Sequence, residues 1–194
     1  EIAELSSSVQ AKLLRDHGKI IVPTFVAAFD EMPVEVLSGA GCDLDDGLRE
    51  RLEATNYSRE SLRDYRHNEV PDSLREWFDR LIIAIPRAIR AGVTIAIGTD
   101  AGCKGTNFRS VVREMLLMRA FGAGALDVLR MATINGAAAL GRSHAVGRLQ
   151  PGFVADIVFT ASNPADDMET LLSIRAVAHR GRLWDLAADP LRVI

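Results

Sequence analysis

Two short apolar runs rich in β-branched residues constrain the fold more than any other feature: "KIIVPTF" from Lys19 and "GVTIAIGTD" from Gly92. Each follows a helical pattern closed by a glycine. In "SSSVQAKLLRDHGK", Val9, Leu13 and Leu14 recur at helical spacing, the serines can cap the start, and Gly18 ends it. In "VPDSLREWFDRLIIAIPRAIRAG", Leu74, Trp77, Phe78, Leu81, Ile82 and Ile85 share one face. Pro71 suits the first turn of that helix, Pro86 should kink it, and Gly92 closes it near Ala91. The two runs are too short for helices, and Ile20–Phe25 and Val93–Gly98 are expected as strands. Continuous rather than alternating apolar character marks strands buried on both faces, as in parallel sheets. Helix then strand, twice over, predicts parallel βα units joined by a right-handed crossover.

The intervening chain loses this order. From Met32 to about Asn56 it is rich in Gly and Asp and reads as an irregular excursion; from Ser58 to Asn68 it is highly charged and reads as a surface helix. Beyond the second run, Asn107 can cap a helix over "FRSVVREMLLMRAF", and "ALDVLRMAT" and "NGAAALG" predict two shorter helices. After Gly141 the period changes. "VGRLQPGFVADIVFTA" predicts two short strands around a Pro151-Gly152 turn, and "IRAVAHRGRLWDL" predicts a hairpin turning near Gly181. The division expected is 1–145 for an α/β part and 146–194 for an antiparallel β-module.

Composition excludes several classes of function. Of the 194 residues, 48% are apolar and 25% charged, which argues for a packed core and against disorder. A net charge of −3 with both signs interleaved lacks the basic footprint of a nucleic-acid binder. Apolar runs such as "LIIAIP" are too short to cross a bilayer, so no membrane partner is expected. Two cysteines, Cys42 and Cys103, make no disulfide framework and favour a reducing, cytoplasmic setting. The opening "EIAELSSS" lacks a Met, as expected of a processed product or a piece of a longer chain.

The chemistry is expected at Asp100. Active sites of α/β barrels lie at the carboxyl ends of the strands, where side chains leave the core. Asp100 follows directly on "VTIAIGT". A carboxylate there can serve chemistry or simply cap the next turn. Thr24, at the end of the other run, is placed similarly and reads first as a structural residue.

Four motifs in one order carry a resemblance: "GVTIAIGTDAG", "LRMATINGAAALG", "VGRLQPGFVADIVFTASNP" and "AVAHRGRLW". Together they resemble the C-terminal part of the amidohydrolase superfamily, in particular its imidazolonepropionase-like and prolidase-like members. "HGKIIVPTF" is similar to the entry into that family's seventh strand. The resemblance implies the last part of a TIM-like (β/α)8 barrel followed by strands of a small flanking β-sandwich. It implies hydrolysis of a C–N bond in a small molecule, amide, cyclic amide or dipeptide, by a divalent metal, most simply zinc, in one or two ions. Asp100 matches the aspartate that ends the eighth strand, which binds metal and exchanges a proton with the attacking water. The other motifs read as structural: "ATINGAAALG" packs helices closely, Asp156 satisfies backbone donors, and Asn163-Pro164 breaks the chain after its strand.

A catalytic zinc takes three protein ligands and leaves a position open. The chain has 4 histidines, His17, His67, His144 and His179, and none forms His-x-His or His-Glu-x-x-His. The family's other ligands come from earlier strands, and two strands cannot close a barrel. The expected partners are therefore a small-molecule substrate and a missing N-terminal part of the same enzyme, with homo-oligomerisation left open. The isolated chain is expected to be inactive. The competing expectation is a non-catalytic fragment or subunit that completes an enzyme only with that missing part.

Overall fold

The computed structural model of the chain describes residues 8–29, 83–102 and 110–186. The excursion from Met32, the charged insert with His67, Cys42, Cys103, the Asn107 cap and the first turns of the helix expected from Pro71 lie outside the described residues. The chain divides into two compact units, Glu1–Gly124 and Ala125–Ile194. Among the described residues no helix is long and apolar enough to cross a membrane.

The first unit is built on a repeated helix–glycine–strand step. Helix α1 (Ser8–Asp16) ends at Gly18, whose φ of +60° lets Lys19 N–H reach back to the Leu14 carbonyl at 2.9 Å. Helix α3, described over residues 83–90, ends the same way at Gly92 (φ +70°), with Val93 N–H on the Ala88 carbonyl at 3.0 Å. Only glycine adopts this left-handed C-cap without strain, and the chain then leaves the helix at a fixed angle. Arg15 donates from Nη1 to the Ala91 carbonyl at 3.1 Å, so a cation satisfies the far helix end and sets the two steps side by side.

Strands β1 (Ile20–Ile21) and β2 (Thr94–Ile95) follow and pair in parallel, Ile20 opposite Thr94 and Ile21 opposite Ile95. Parallel pairing in one sheet is as expected, but both strands are shorter than the apolar runs. Ala96 N–H still bonds the Ile21 carbonyl at 2.9 Å. Beyond it Pro23 has no N–H to offer and Thr24 turns to φ +50°, so the ladder stops. Phe25, expected in the strand, instead opens the short helix α2 (Phe25–Phe29). Helix α4 (Ser110–Ala120) is buried along Arg113–Met118 and packs against α2. Phe25 and Phe121 stack in a tilted pair, ring centroids 4.8 Å apart.

The second unit opens with α5 (Ala125–Ala132) and α6 (Ile134–Ala139), the two short helices expected. Of the two strands expected between Val146 and Ala161, one forms, β3 (Ile157–Phe159). The segment before it is held in turns: Gly147 has φ +89° against the Thr133 carbonyl, and Val154 N–H bonds the Ala145 carbonyl at 2.8 Å. After β3, Ala165 N–H bonds the Asn163 side chain and the chain turns at Pro164. A single turn of 3-10 helix (Met168–Leu172), capped by Asp167, leads to the hairpin β4 (Ala176–His179) and β5 (Arg182–Asp185). The antiparallel order is β3-β4-β5. One three-stranded sheet is thus present among the described residues, without the second layer of a sandwich, and the two-stranded parallel sheet is not a closed barrel.

Candidate functional site at the carboxyl ends of the parallel strands

The strand ends β1 and β2 bring "VPTF" and "GTD" together, and Gly98 is the reason they can approach. A Cβ at Gly98 would collide with Val22 Cγ1 and lie 3.4 Å from Thr24 Cγ2. A side chain there would force the two segments apart, which accounts for the glycine before Thr99-Asp100 in terms of close approach. Thr99 is buried and Asp100 is exposed, so the chain leaves the core at the carboxylate.

Both segments end in strained backbone. Thr24 has φ +50° and Asp100 φ +51°. A left-handed conformation is tolerable for Asp but costly for a β-branched Thr, and it persists only where neighbours enforce it.

The enforcing group at β1 is Glu114, which was not singled out in the sequence. Its side chain is fully buried, Oε1 accepts from Phe25 N–H at 3.1 Å, and Oε2 accepts from Val26 N–H at 2.7 Å. These are the first two amide groups of α2, donors with no partner inside their own helix. Burial pushes the Glu114 carboxyl up to about 7, against the two amide hydrogen bonds and the Arg113 charge, which favour the ionised form. The available signal was a glutamate inside the apolar stretch "EMLLMRAF", in line with Leu117 and Met118 at helical spacing.

None of the histidines was expected as a metal ligand, and the three among the described residues stand apart. His17 is exposed in the turn after α1, His144 is exposed in a turn, and His179 at the end of β4 sits 3.0 Å from Asp156. Asp156 also accepts from Arg180 N–H at 3.0 Å, which holds its carboxyl below the usual range and fixes the hairpin turn. Its expected role as acceptor for a backbone donor is met. Among the described residues no three His, Cys, Asp or Glu side chains are grouped to hold a metal ion. Asp100 offers one hard oxygen donor, which does not by itself make a catalytic metal site.

Comparison with known proteins gives this arrangement a family. The amidohydrolase family model matches residues 49–183. A 5-methylthioadenosine/S-adenosylhomocysteine deaminase from Syntrophomonas wolfei is 33% identical over 85 residues, covering 40% of this chain and 20% of that protein. Ochratoxinase from Aspergillus niger is 30% identical over 102 residues, covering 52% and 21%. Among solved structures, a Xaa-Pro dipeptidase with bound methionine superposes with a TM-score of 0.60 at 23% identity, covering 90% of this chain and 36% of that one. The A. niger ochratoxinase structure superposes with a TM-score of 0.51 at 25% identity, covering 71% and 30%. The chain therefore spans about a fifth of these curated relatives and about a third of these structures. With the family model matching more than half of the chain, and the motif order and parallel strand pair in agreement, the chain belongs to the amidohydrolase family.

Proposed function

We propose that this chain supplies the last barrel strands and the metal-side aspartate of a hydrolase that cleaves C–N bonds in small molecules, amides, cyclic amides or dipeptides. The observation that carries the reading is the placement of Asp100: exposed, beyond the carboxyl end of a parallel strand, two residues after a glycine that lets the neighbouring strand end close in. The deaminase, ochratoxinase and dipeptidase names of its relatives agree with C–N chemistry. On this reading the barrel part runs to about residue 145 and 146–194 belong to the flanking β-module. The remaining strands and ligands come from a further part of the enzyme, in a reducing, cytoplasmic setting.

A divalent ion, zinc in one or two copies, would supply acidified water when bound. Asp100 would hold it by one oxygen, and its carboxylate would serve as the base that takes a proton from water and the acid that returns it to the leaving nitrogen. In the complete enzyme assayed with zinc, Asp100→Asn keeps the shape and removes the basic oxygen. Turnover should fall by about a hundredfold or more, with the unfolding midpoint little changed. Unchanged turnover would remove Asp100 from the mechanism, and lost turnover with a collapsed fold would make it a structural cap.

The lack of a three-donor group among the described residues favours a second reading, a non-catalytic fragment or subunit that completes an enzyme only with a missing N-terminal part. Metal analysis separates the two. Stoichiometric zinc in the completed enzyme, lost on Asp100→Ala, supports the hydrolase reading; zinc retained in Asp100→Ala, or none in either, supports the non-catalytic fragment or subunit.

A further inference from the structure

We propose that Thr24 presents its hydroxyl to the substrate at the mouth of this site, and that Glu114 is the positioning residue that holds it there. The inference rests on the hydrolase reading above and extends it to the neighbouring strand end.

By position Thr24 is the N-cap of α2, and Thr is a good capping residue. An N-cap normally adopts extended backbone so that its side-chain oxygen can take the amide two or three residues on. Thr24 does not. At φ +50° its backbone is turned away from that geometry, and only its carbonyl is used, by Ala27 N–H at 3.1 Å. The orphan amides of Phe25 and Val26 go instead to a carboxylate 89 and 88 residues away in sequence. Glu114 thus does the capping and releases the threonine hydroxyl from it. Among the described residues nothing hydrogen-bonds that hydroxyl, and the side chain is half-buried.

Its methyl group lies against Gly98, two residues before Asp100. Thr24 therefore stands at the end of one strand, beside the segment that carries the proposed proton shuttle on the next. A strained β-branched residue, kept in place by a fully buried carboxylate rather than relaxed by a local cap, is the pattern found where backbone strain serves a site. A single neutral hydroxyl fits one polar group of the substrate, such as an amide or carboxylate oxygen, in a mostly apolar pocket.

The experiment uses the complete zinc-loaded enzyme and a panel of dipeptides, N-acyl amino acids and cyclic amides. Thr24→Val keeps the shape and removes the hydroxyl; KM should rise about tenfold, the scale of one hydrogen bond, while kcat changes little. Thr24→Ser should recover most of the loss. Glu114→Gln leaves one acceptor oxygen for two amides. It should raise KM in the same direction and speed hydrogen exchange over residues 20–29 by about tenfold. Thr24→Val with parental KM overturns the proposal, as does Glu114→Gln with faster exchange and parental KM, which would make the cap purely structural. If Glu114→Gln fails to fold, the Thr24 pair decides alone. A parent that hydrolyses none of the panel sinks the hydrolase reading; unchanged exchange over 20–29 in Glu114→Gln sinks the positioning role independently.

Discussion

Glu114 makes the stability of this protein fall as pH rises from about 4.5 to about 7, and the size of the fall follows from its burial. The carboxyl goes from an ordinary value of 4.5 to about 7 in the folded chain. Below 4.5 both folded and unfolded states hold the proton. Between 4.5 and 7 the unfolded chain releases it while the folded chain keeps it, so each pH unit removes about 1.4 kcal/mol of stability. Above 7 the loss levels off at about 3 kcal/mol, the difference between the two values converted at that rate. Arg113, the charged group beside it, stays protonated throughout and adds no slope. The clean measurement is a difference. Urea unfolding of parent and Glu114→Gln at pH 5 and pH 8.5 cancels every other titrating group. At pH 5 the parent should be the more stable, because a neutral carboxyl satisfies both amides better than a carboxamide. By pH 8.5 that advantage should have shrunk by about 2–3 kcal/mol, roughly 4–12 °C in unfolding midpoint for a domain of this size. A gap that is the same at both pH values would refute the reasoning, since it would mean the buried group carries the same charge in the folded and unfolded chain.

Two glycines give further tests. Gly98→Ala places a methyl into Val22 Cγ1 and against Thr24; it should cost about 1–3 kcal/mol and, in the complete enzyme, lower turnover by moving Asp100, with unfolding and kinetics measured on one preparation. Gly147→Ala combines φ +89° with a Cβ placed 2.8 Å from the Thr133 carbonyl and 2.9 Å from Ala137 Cβ. It should destabilise the second unit by more than about 1 kcal/mol, read as earlier unfolding of Trp184 fluorescence, while hydrogen exchange over residues 20–29 stays parental.

The parallel pairing of β1 and β2 was legible because a β-branched run after a Gly-capped helix has few alternatives. The helices over "ALDVLRMAT" and "NGAAALG" and the hairpin around Gly181 were legible for the same local reasons. What local pattern could not show was where pairing stops. Ile20–Phe25 reads as one strand, yet Thr24 leaves the sheet because a distant carboxylate claims the amides of Phe25 and Val26. Likewise "VGRLQPGF" alternates like a strand, but Gly147 is drawn onto the start of α6 by close packing that no short-range rule encodes. Asp100 was legible as a residue, since it ends an apolar run. Glu114 was hidden because a buried acid within an apolar helix resembles a surface residue until the helix's neighbours are known.

The reach of the Glu114 cap also orders events in time. A five-residue helix such as α2 has too few internal hydrogen bonds to persist by itself. Its amides find their acceptor only when α4 arrives, closing a loop of nearly ninety residues whose entropy must be spent beforehand. The end of β1 is therefore a late-folding element despite its early place in the chain. On the ribosome it waits, with Phe25 and Val26 uncovered, until the segment bearing Glu114 has emerged, and that interval is when a chaperone would find this chain most receptive.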